Sequence, residues 1–267
     1  MTLNLIGIGL NDEKDISFKG LELVKKSDVI YLENYTSKLN CSISQLESFY
    51  GKKIILAGRK MVEENAEATI LKEAKSKEVA FLVIGDVFSA TTHIDLYLRA
   101  KKMAVKTRVI YNASVLTAIG ITGLQLYKFG KTTSIPFENE NVETPYDVLK
   151  VNAENNMHTL FLLDLNPDKE GSLTVNDAIR YLLKIEIKKG EKVFASNTLC
   201  IGCAKIGSLD QIIKAGNASE LLKENFKDGL HCLIVPAKHL HFMEEEALTL
   251  YISHQPHETF KNQAKFS

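Results

Sequence analysis

The sequence predicts a layered α/β fold, and three observations carry that reading. Strand-like and helix-like patterns alternate along nearly the whole chain. Residues 79–84 and 159–164 are continuous or nearly continuous apolar runs, as expected of strands buried on both faces. Glycines close the strand runs at Gly7, Gly9 and Gly85, where the chain must turn from strand to helix.

Taken in order, residues 3–8 form a first strand. Ser17 can cap a helix whose apolar positions Phe18, Leu21 and Val24 follow it. Residues 29–32 are the next strand, completing a βαβ unit with the usual right-handed crossover, and 54–57 are a third. A helix is predicted over 62–75 through Ala66, Ile70 and Ala74, then the strand 79–84, a helix over 92–102 and a strand over 107–110. The segment 111–114 is the candidate domain boundary, giving domains 1–110 and 111–267. Beyond it come a helix over 115–126, a strand near 133–137, a helix over 146–154 and the strand 159–164. Residues 174–187 place Val175, Ala178, Ile179, Leu182 and Leu183 on one helical stripe. A strand region over 193–203, a short helix over 218–224, a strand over 232–235 and a helix over 244–250 follow. The polar stretch from His254 onward is expected to be loosely held.

At 267 residues and 29.8 kDa, the chain is one large α/β domain or two of about 130 residues. Lys plus Arg and Asp plus Glu number 33 each, and no basic block stands out, so a nucleic-acid footprint is missing. No apolar run approaches the roughly 20 residues that span a bilayer. The start, Met1-Thr-Leu-Asn-Leu-Ile, lacks a basic segment and does not read as a signal peptide. Four cysteines make no disulfide framework. The expectation is a cytoplasmic protein with reduced thiols, no membrane and no nucleic-acid partner.

Several candidate motifs lose to plainer readings. Gly7-Ile-Gly9-Leu-Asn-Asp12 follows a strand, and Glu33 could stand as a ribose-binding acid. Asp12, however, occupies the position of the third glycine of a dinucleotide fingerprint, so a tight turn is the better account. Cys200-Ile-Gly-Cys203 has no second pair, so small buried cysteines and no metal are expected. His239-Leu-His241 has no carboxylate motif beside it and reads as surface or packing histidines. No G-x-S-x-G, H-E-x-x-H or P-loop occurs.

Gly85-Asp-Val-Phe-Ser-Ala-Thr-Thr-His93 is the most informative stretch. It sits at the carboxyl end of the most apolar strand, where open α/β sheets bind ligands. Gly85 lets a ligand approach the backbone. Asp86 can accept hydrogen bonds from ligand donors, and Ser89 and Thr91 can cap the next helix.

That stretch resembles the G-D-P-x-x-A-T-T-H signature of the diphthine synthases, tetrapyrrole-methylase-like enzymes that use S-adenosylmethionine. Further pieces match: Leu5-Ile-Gly-Ile-Gly-Leu10, Asp15-Ile16, Lys19-Gly-Leu-Glu22, Glu33-Asn-Tyr-Thr-Ser37, Asn112-Ala-Ser114 and Gly123-Leu-Gln-Leu-Tyr-Lys-Phe-Gly130. So do Met157-His-Thr-Leu160, Leu163-Asp164 and His231 before Leu233-Ile234. The match extends from residue 2 to about 250 and is nearest the eukaryotic branch through Phe49-Tyr-Gly51 and Leu124-Gln-Leu-Tyr127. One departure is Val87, where the family usually has proline.

The resemblance implies an α/β, two-domain tetrapyrrole-methylase-like fold with the cofactor in the interdomain cleft, and a homodimer. It implies S-adenosyl-L-methionine as methyl donor, S-adenosyl-L-homocysteine as product and no metal. The implied substrate is translation elongation factor 2, on a histidine already extended by an amino-carboxypropyl group. Repeated methylation of the amino nitrogen, and methylation of the carboxylate in the eukaryotic branch, would be a step of diphthamide biosynthesis. The cofactor contacts implied by position are Leu10, Asp86, Ser89, Ser114, Val115, Leu163, Ile206 and His231. No catalytic residue is named, since a free amine is partly neutral at physiological pH; Tyr35 and His93 are the side chains to test first. Two alternatives are a tetrapyrrole methylase of the same fold and a noncatalytic cofactor-binding protein.

Overall fold

The first sheet is built from β1 (Thr2–Gly7), β2 (Val29–Glu33), β3 (Ile55–Ala57), β4 (Glu78–Val83) and β5 (Lys106–Ile110). All pairings are parallel, in the order β3-β2-β4-β1-β5. Between the strands run α1 (Phe18–Lys26), α2 (Ile43–Tyr50), α3 (Arg59–Glu63), α4 (Ile70–Ala74) and α5 (Ile94–Lys102), and α6 (Val115–Ala118) follows β5. The structure is a computed structural model that describes residues 1–166 and 171–252.

β4 shows why a parallel sheet needs cover on both sides. Val79, Phe81 and Val83 face one apolar core with Leu96 and Ala100 of α5. Ala80, Leu82 and Ile84 face another with Val24 of α1 and Leu46 and Tyr50 of α2. The period of two distributes a continuous apolar run to both faces, and each fully buried large side chain contributes about 1.5–3 kcal/mol.

Two predicted helices take other forms in this unit. The helix expected over 62–75 is interrupted: α3 ends at Glu63, and Thr69 Oγ1 donates to the Asn65 carbonyl at 2.7 Å before α4 begins. Ala66, Ile70 and Ala74 are buried nonetheless. α2 has no counterpart in the sequence reading, although Ser42 and Gln45 form a capping box at its start.

The second unit comprises Gly120–Lys205 and the chain from Asp210 onward, and the first comprises Met1–Ile119 with Ile206–Leu209. Residues 111–119, placed in the second domain by the sequence reading, thus cluster with the first. Asn112 explains this, since its side-chain amide donates to the carbonyls of Gly7 and Asp15, both at 3.0 Å.

In the second unit, β6 (Thr133–Ile135), β7 (Thr159–Leu163), β10 (Leu199–Ala204), β11 (Ile212–Asn217) and β12 (His231–Val235) form a sheet ordered β11-β10-β12-β7-β6. Only β6 and β7 run parallel within it. β8 (Leu165–Asn166) and β9 (Gly171–Ser172) make a small ribbon. α7 (Thr144–Glu154), α8 (Val175–Lys189), α9 (Ala218–Leu221) and α10 (Phe242–Leu248) complete the unit. The stripe read on α8 is buried at Val175, Ala178, Ile179 and Leu182, with Ile185 added.

Here too the structure departs from the pattern. The helix predicted over 115–126 is α6 followed by 3-10 turns at Ile119–Thr122 and Leu126–Lys128. Gly123 stands between the turns at φ +84°, and a Cβ there would lie 2.1 Å from that of Ala247. The strand region 193–203 begins only at Leu199, because the amides of Lys192, Val193 and Phe194 turn onto the Glu186 carboxylate at 2.7–2.9 Å. β11 was not predicted. The stretch from His254 lies outside the described residues.

Among the described residues no helix is long and apolar enough to cross a membrane, and no group of three or more His, Cys, Asp or Glu could hold a metal ion.

Candidate functional site

β1, β2 and β4 run parallel, so the loops that follow Gly7, Glu33 and Val83 leave the first sheet at one edge. There Gly9 and Gly85 exchange two backbone hydrogen bonds, 3.2 Å and 2.7 Å. Both have positive φ, +83° and +79°, a region open to glycine without a steric penalty. A Cβ on Gly9 would lie 2.3 Å from Cβ of Asp15. On Gly85 it would meet ordinary van der Waals contacts only, the Ala113 carbonyl at 3.7 Å and Leu10 at 3.9 Å.

Asp86 is largely buried and bound within its own unit. Oδ1 accepts from the Phe88 amide at 3.1 Å and the Ser89 hydroxyl at 3.0 Å, and Oδ2 accepts from the Asn112 amide at 3.1 Å. Its carboxylate therefore organises the loop. Ser89 serves that carboxylate and Thr91 donates to the Val87 carbonyl at 2.7 Å, so neither caps the next helix. α5 starts after His93 with no side-chain cap. Val87 has no exposed surface and packs in the core with Phe81 and Leu96, which accounts for an apolar residue here.

The other first-unit candidates lie around this loop. The Leu10 and Asn11 amides donate to Asp15 Oδ2 at 3.1 Å and 2.7 Å. Gly207, next to Ile206, would bring a Cβ within 2.8 Å of Leu10 Cβ. Ser114 begins α6, two residues beyond Asn112, with Val115 at its first position; Ser114 Oγ is buried without a hydrogen-bond partner. Asp15 and Asn112 are the organising residues that the sequence reading did not single out, although both lie in segments it had matched.

In the second unit, Cys232 of β12 pairs with Leu162 of β7, placing Leu163 and His231 together at one end of that ladder. The His231 ring is already committed: Nδ1 accepts from the Val175 amide at 3.3 Å and Nε2 donates to the Lys227 carbonyl at 2.9 Å. Burial holds its pKa below the usual histidine value.

Glu33 is fully buried and spends its carboxylate on its own turn. It accepts from the Tyr35 and Thr36 amides at 3.3 Å and 3.1 Å, and from the Thr36 hydroxyl at 2.6 Å. This is no ribose-binding acid. Beyond the turn, the Tyr35 hydroxyl lies 3.4 Å from Nε2 of His93, and the Arg59 guanidinium sits over the Tyr35 ring. Cys200 and Cys203 are buried in β10, with Cys203 directly opposite Cys232. His239 is exposed, and His241 caps α10.

Comparison with known proteins gives these positions a context. The family model for tetrapyrrole (corrin/porphyrin) methylases matches residues 2–222. The diphthine methyl ester synthase of Dictyostelium discoideum is 46% identical over 265 residues, covering 92% of this chain and 96% of its own. The diphthine synthase of Methanocella arvoryzae is 45% identical over 250 residues, covering 92% and 96%. A crystal structure of diphthine synthase superposes with a TM-score of 0.87 at 39% identity, covering 94% of this chain and 96% of that one.

Proposed function

The chain belongs to the tetrapyrrole methylase family and, within it, to the diphthine synthases, and from that premise we propose that it methylates the modified histidine of translation elongation factor 2. The fold is the tetrapyrrole-methylase fold and the chain is a methyltransferase. The methyl donor in this reading is S-adenosylmethionine, whose sulfonium supplies an electrophilic methyl group. The reaction is one intermediate step of diphthamide biosynthesis, carried out in the cytoplasm by a homodimer without a metal.

The observation that supports the reading best is the Gly9–Gly85 pairing. A Cβ at Gly85 would meet only the Ala113 carbonyl and Leu10, at ordinary van der Waals distance. Ser114, with its unpartnered buried hydroxyl, follows directly. A backbone carbonyl, an apolar side chain and a spare hydroxyl suit a ligand with both polar and apolar parts. Leu10, Ser114, Val115 and Ile206 would hold the donor in the first unit, with Asp86 and Ser89 shaping the loop. Leu163 and His231 are the second-unit positions that the resemblance implies, and the His231 ring is engaged within its own unit.

The two relatives differ in name by the methyl ester and hardly at all in identity, 46% against 45%. Carboxylate methylation is assigned here on the match at Phe49-Tyr-Gly51 and Leu124-Gln-Leu-Tyr127. The test is incubation of the purified chain with labelled S-adenosylmethionine and unmethylated elongation factor 2. Mass spectrometry of the modified histidine should show added methyl groups. Absence of transfer, with cofactor binding intact, would favour the noncatalytic alternative.

A further inference from the structure

Buried histidines in this molecule fall into two kinds. His158 and His231 each have both ring nitrogens in hydrogen bonds of 2.9–3.3 Å, which fixes their tautomers and makes them part of the fold. His93 is equally buried, with no exposed surface, yet it differs. Nδ1 makes no hydrogen bond of good geometry, the Val87 carbonyl being its polar neighbour, and Nε2 has only the 3.4 Å contact with the Tyr35 hydroxyl. A buried polar group left so loosely satisfied calls for a reason. Tyr35 in turn is only half-buried and follows β2 at the sheet edge shared with the Gly85–Asp86 loop.

Resting on the function proposed above, we propose that Tyr35 and His93 form a proton-removing pair for amine methylation. When a carbon–sulfur bond breaks and a carbon–nitrogen bond forms, the positive charge passes from sulfur to nitrogen. A nitrogen that keeps a hydrogen must shed a proton before it can attack again. The Tyr35 oxygen takes that proton as its own hydroxyl proton moves to Nε2 of His93, leaving a neutral amine, an intact phenol and an imidazolium. The imidazolium returns the proton to solvent through Tyr35 during exchange of the spent cofactor, so one imidazole serves each turnover. Tyr35 is the catalytic residue in this scheme and His93 acts through it.

The surrounding charges suit that cycle. Burial holds the His93 ring below the usual histidine value, so it rests neutral. Glu33, the Val87 carbonyl and Glu63 each favour its charged form, easing the transient imidazolium. Burial pushes the Tyr35 phenol up to about 12, and Glu33 and Glu63 add to this against Thr92 and Arg59, so it stays a donor.

Carboxylate methylation removes no proton, which supplies an internal control. Full-length wild type, Tyr35→Phe and His93→Gln are each given unmethylated elongation factor 2 and methyl-labelled S-adenosylmethionine. Alkali then separates ester label, released as methanol, from stable N-methyl label. Tyr35→Phe should slow N-methylation at least about tenfold near pH 7, with the deficit shrinking as alkaline solution deprotonates the amine. Its N-methyl label should fall further than its ester label, and its S-adenosylhomocysteine affinity and melting temperature should stay within about twofold and a few degrees of wild type. His93→Gln should show the same pH-dependent N-methyl deficit, which decides the matter if Tyr35→Phe folds poorly. If no ester forms, the pH profile makes the distinction. Equal slowing of both labels at every pH, or no slowing, overturns the relay. If wild type labels nothing, the proposed function fails and the relay with it.

Discussion

Asp86 accepts the backbone N–H of Asn112 at 3.1 Å and so ties the loop after β4 to the loop after β5. The same carboxylate holds Phe88 and Ser89, while the Asn112 amide reaches back to Gly7 and Asp15. Asp86→Ala would leave these donors without their acceptor. The expected cost is about 2 kcal/mol of stability and at least a tenfold loss of S-adenosylhomocysteine affinity, about 1.4 kcal/mol. Asp86→Asn, which keeps one carbonyl oxygen, should fall between. Calorimetric titration and thermal melting read both effects. Unchanged affinity in Asp86→Ala would separate this loop from cofactor binding.

Gly85→Val should weaken cofactor binding at least tenfold through backbone strain and by placing a side chain beside Leu10. The nearest atoms lie at 3.7 and 3.9 Å, so no clash forces the protein apart, but valine at φ +79° is disfavoured by about 1–3 kcal/mol. Gly9→Ala should damage the fold more, since its Cβ meets Asp15 at 2.3 Å as well. A Gly9→Ala variant that melts at the wild-type temperature would contradict this ordering.

How legible these features were depended on the distance over which each is determined. The run ending in Gly85 announced a buried strand because both faces of β4 are covered. The Ser42/Gln45 box could have revealed α2, being a purely local signal. β11 could not be read as readily, because Lys214, Ala215 and Gly216 dilute any alternation after Ile212 and Ile213. At the site, the importance of Asp86 was legible but its occupation by Phe88, Ser89 and Asn112 was not. Asn112 lies 97 residues from Asp15 and 105 from Gly7, and such pairings leave no periodic trace.

The cysteines should behave as small buried groups. Burial pushes up the Cys200 thiol, while the hydrogen bond with Cys232 and burial raise Cys203 well above the usual range. Burial, with Glu13 nearby, raises half-buried Cys41 to about 11. Iodoacetamide at pH 8 should therefore modify the native protein slowly, at Cys41 first, and denatured protein at all four positions. Stoichiometric zinc in the purified protein, or rapid native modification of Cys203, would be the contrary result.

Acid should destabilise the second unit through Glu244, which is fully buried among four donors. Oε1 accepts from the Gln125 amide at 3.0 Å and His158 Nε2 at 2.9 Å, and Oε2 from Lys128 and the His241 amide, both at 2.8 Å. Burial alone would raise the Glu244 pKa, but Lys128, Gln125, His241 and His158 outweigh it and bring it to about 2. The unfolded chain takes up a proton at this carboxylate near 4.5, so its contribution is present above that pH and disappears as pH falls toward 2. His158 acts in the same direction by a different route. Its Nδ1 accepts from Ala237, and burial lowers its pKa from 6.5 despite the neighbouring carboxylate. Below 6.5 the unfolded imidazole gains a proton that the native ring resists, which also favours unfolding. Urea denaturation should therefore show stability falling steadily from about pH 6.5 downward. Glu244→Gln should cost about 3 kcal/mol at pH 7, because Lys128 loses its buried counter-charge, and should flatten the dependence below pH 5. A variant as stable as wild type at pH 7, with the same acid sensitivity, would mean that the network contributes nothing to holding α10 against β7.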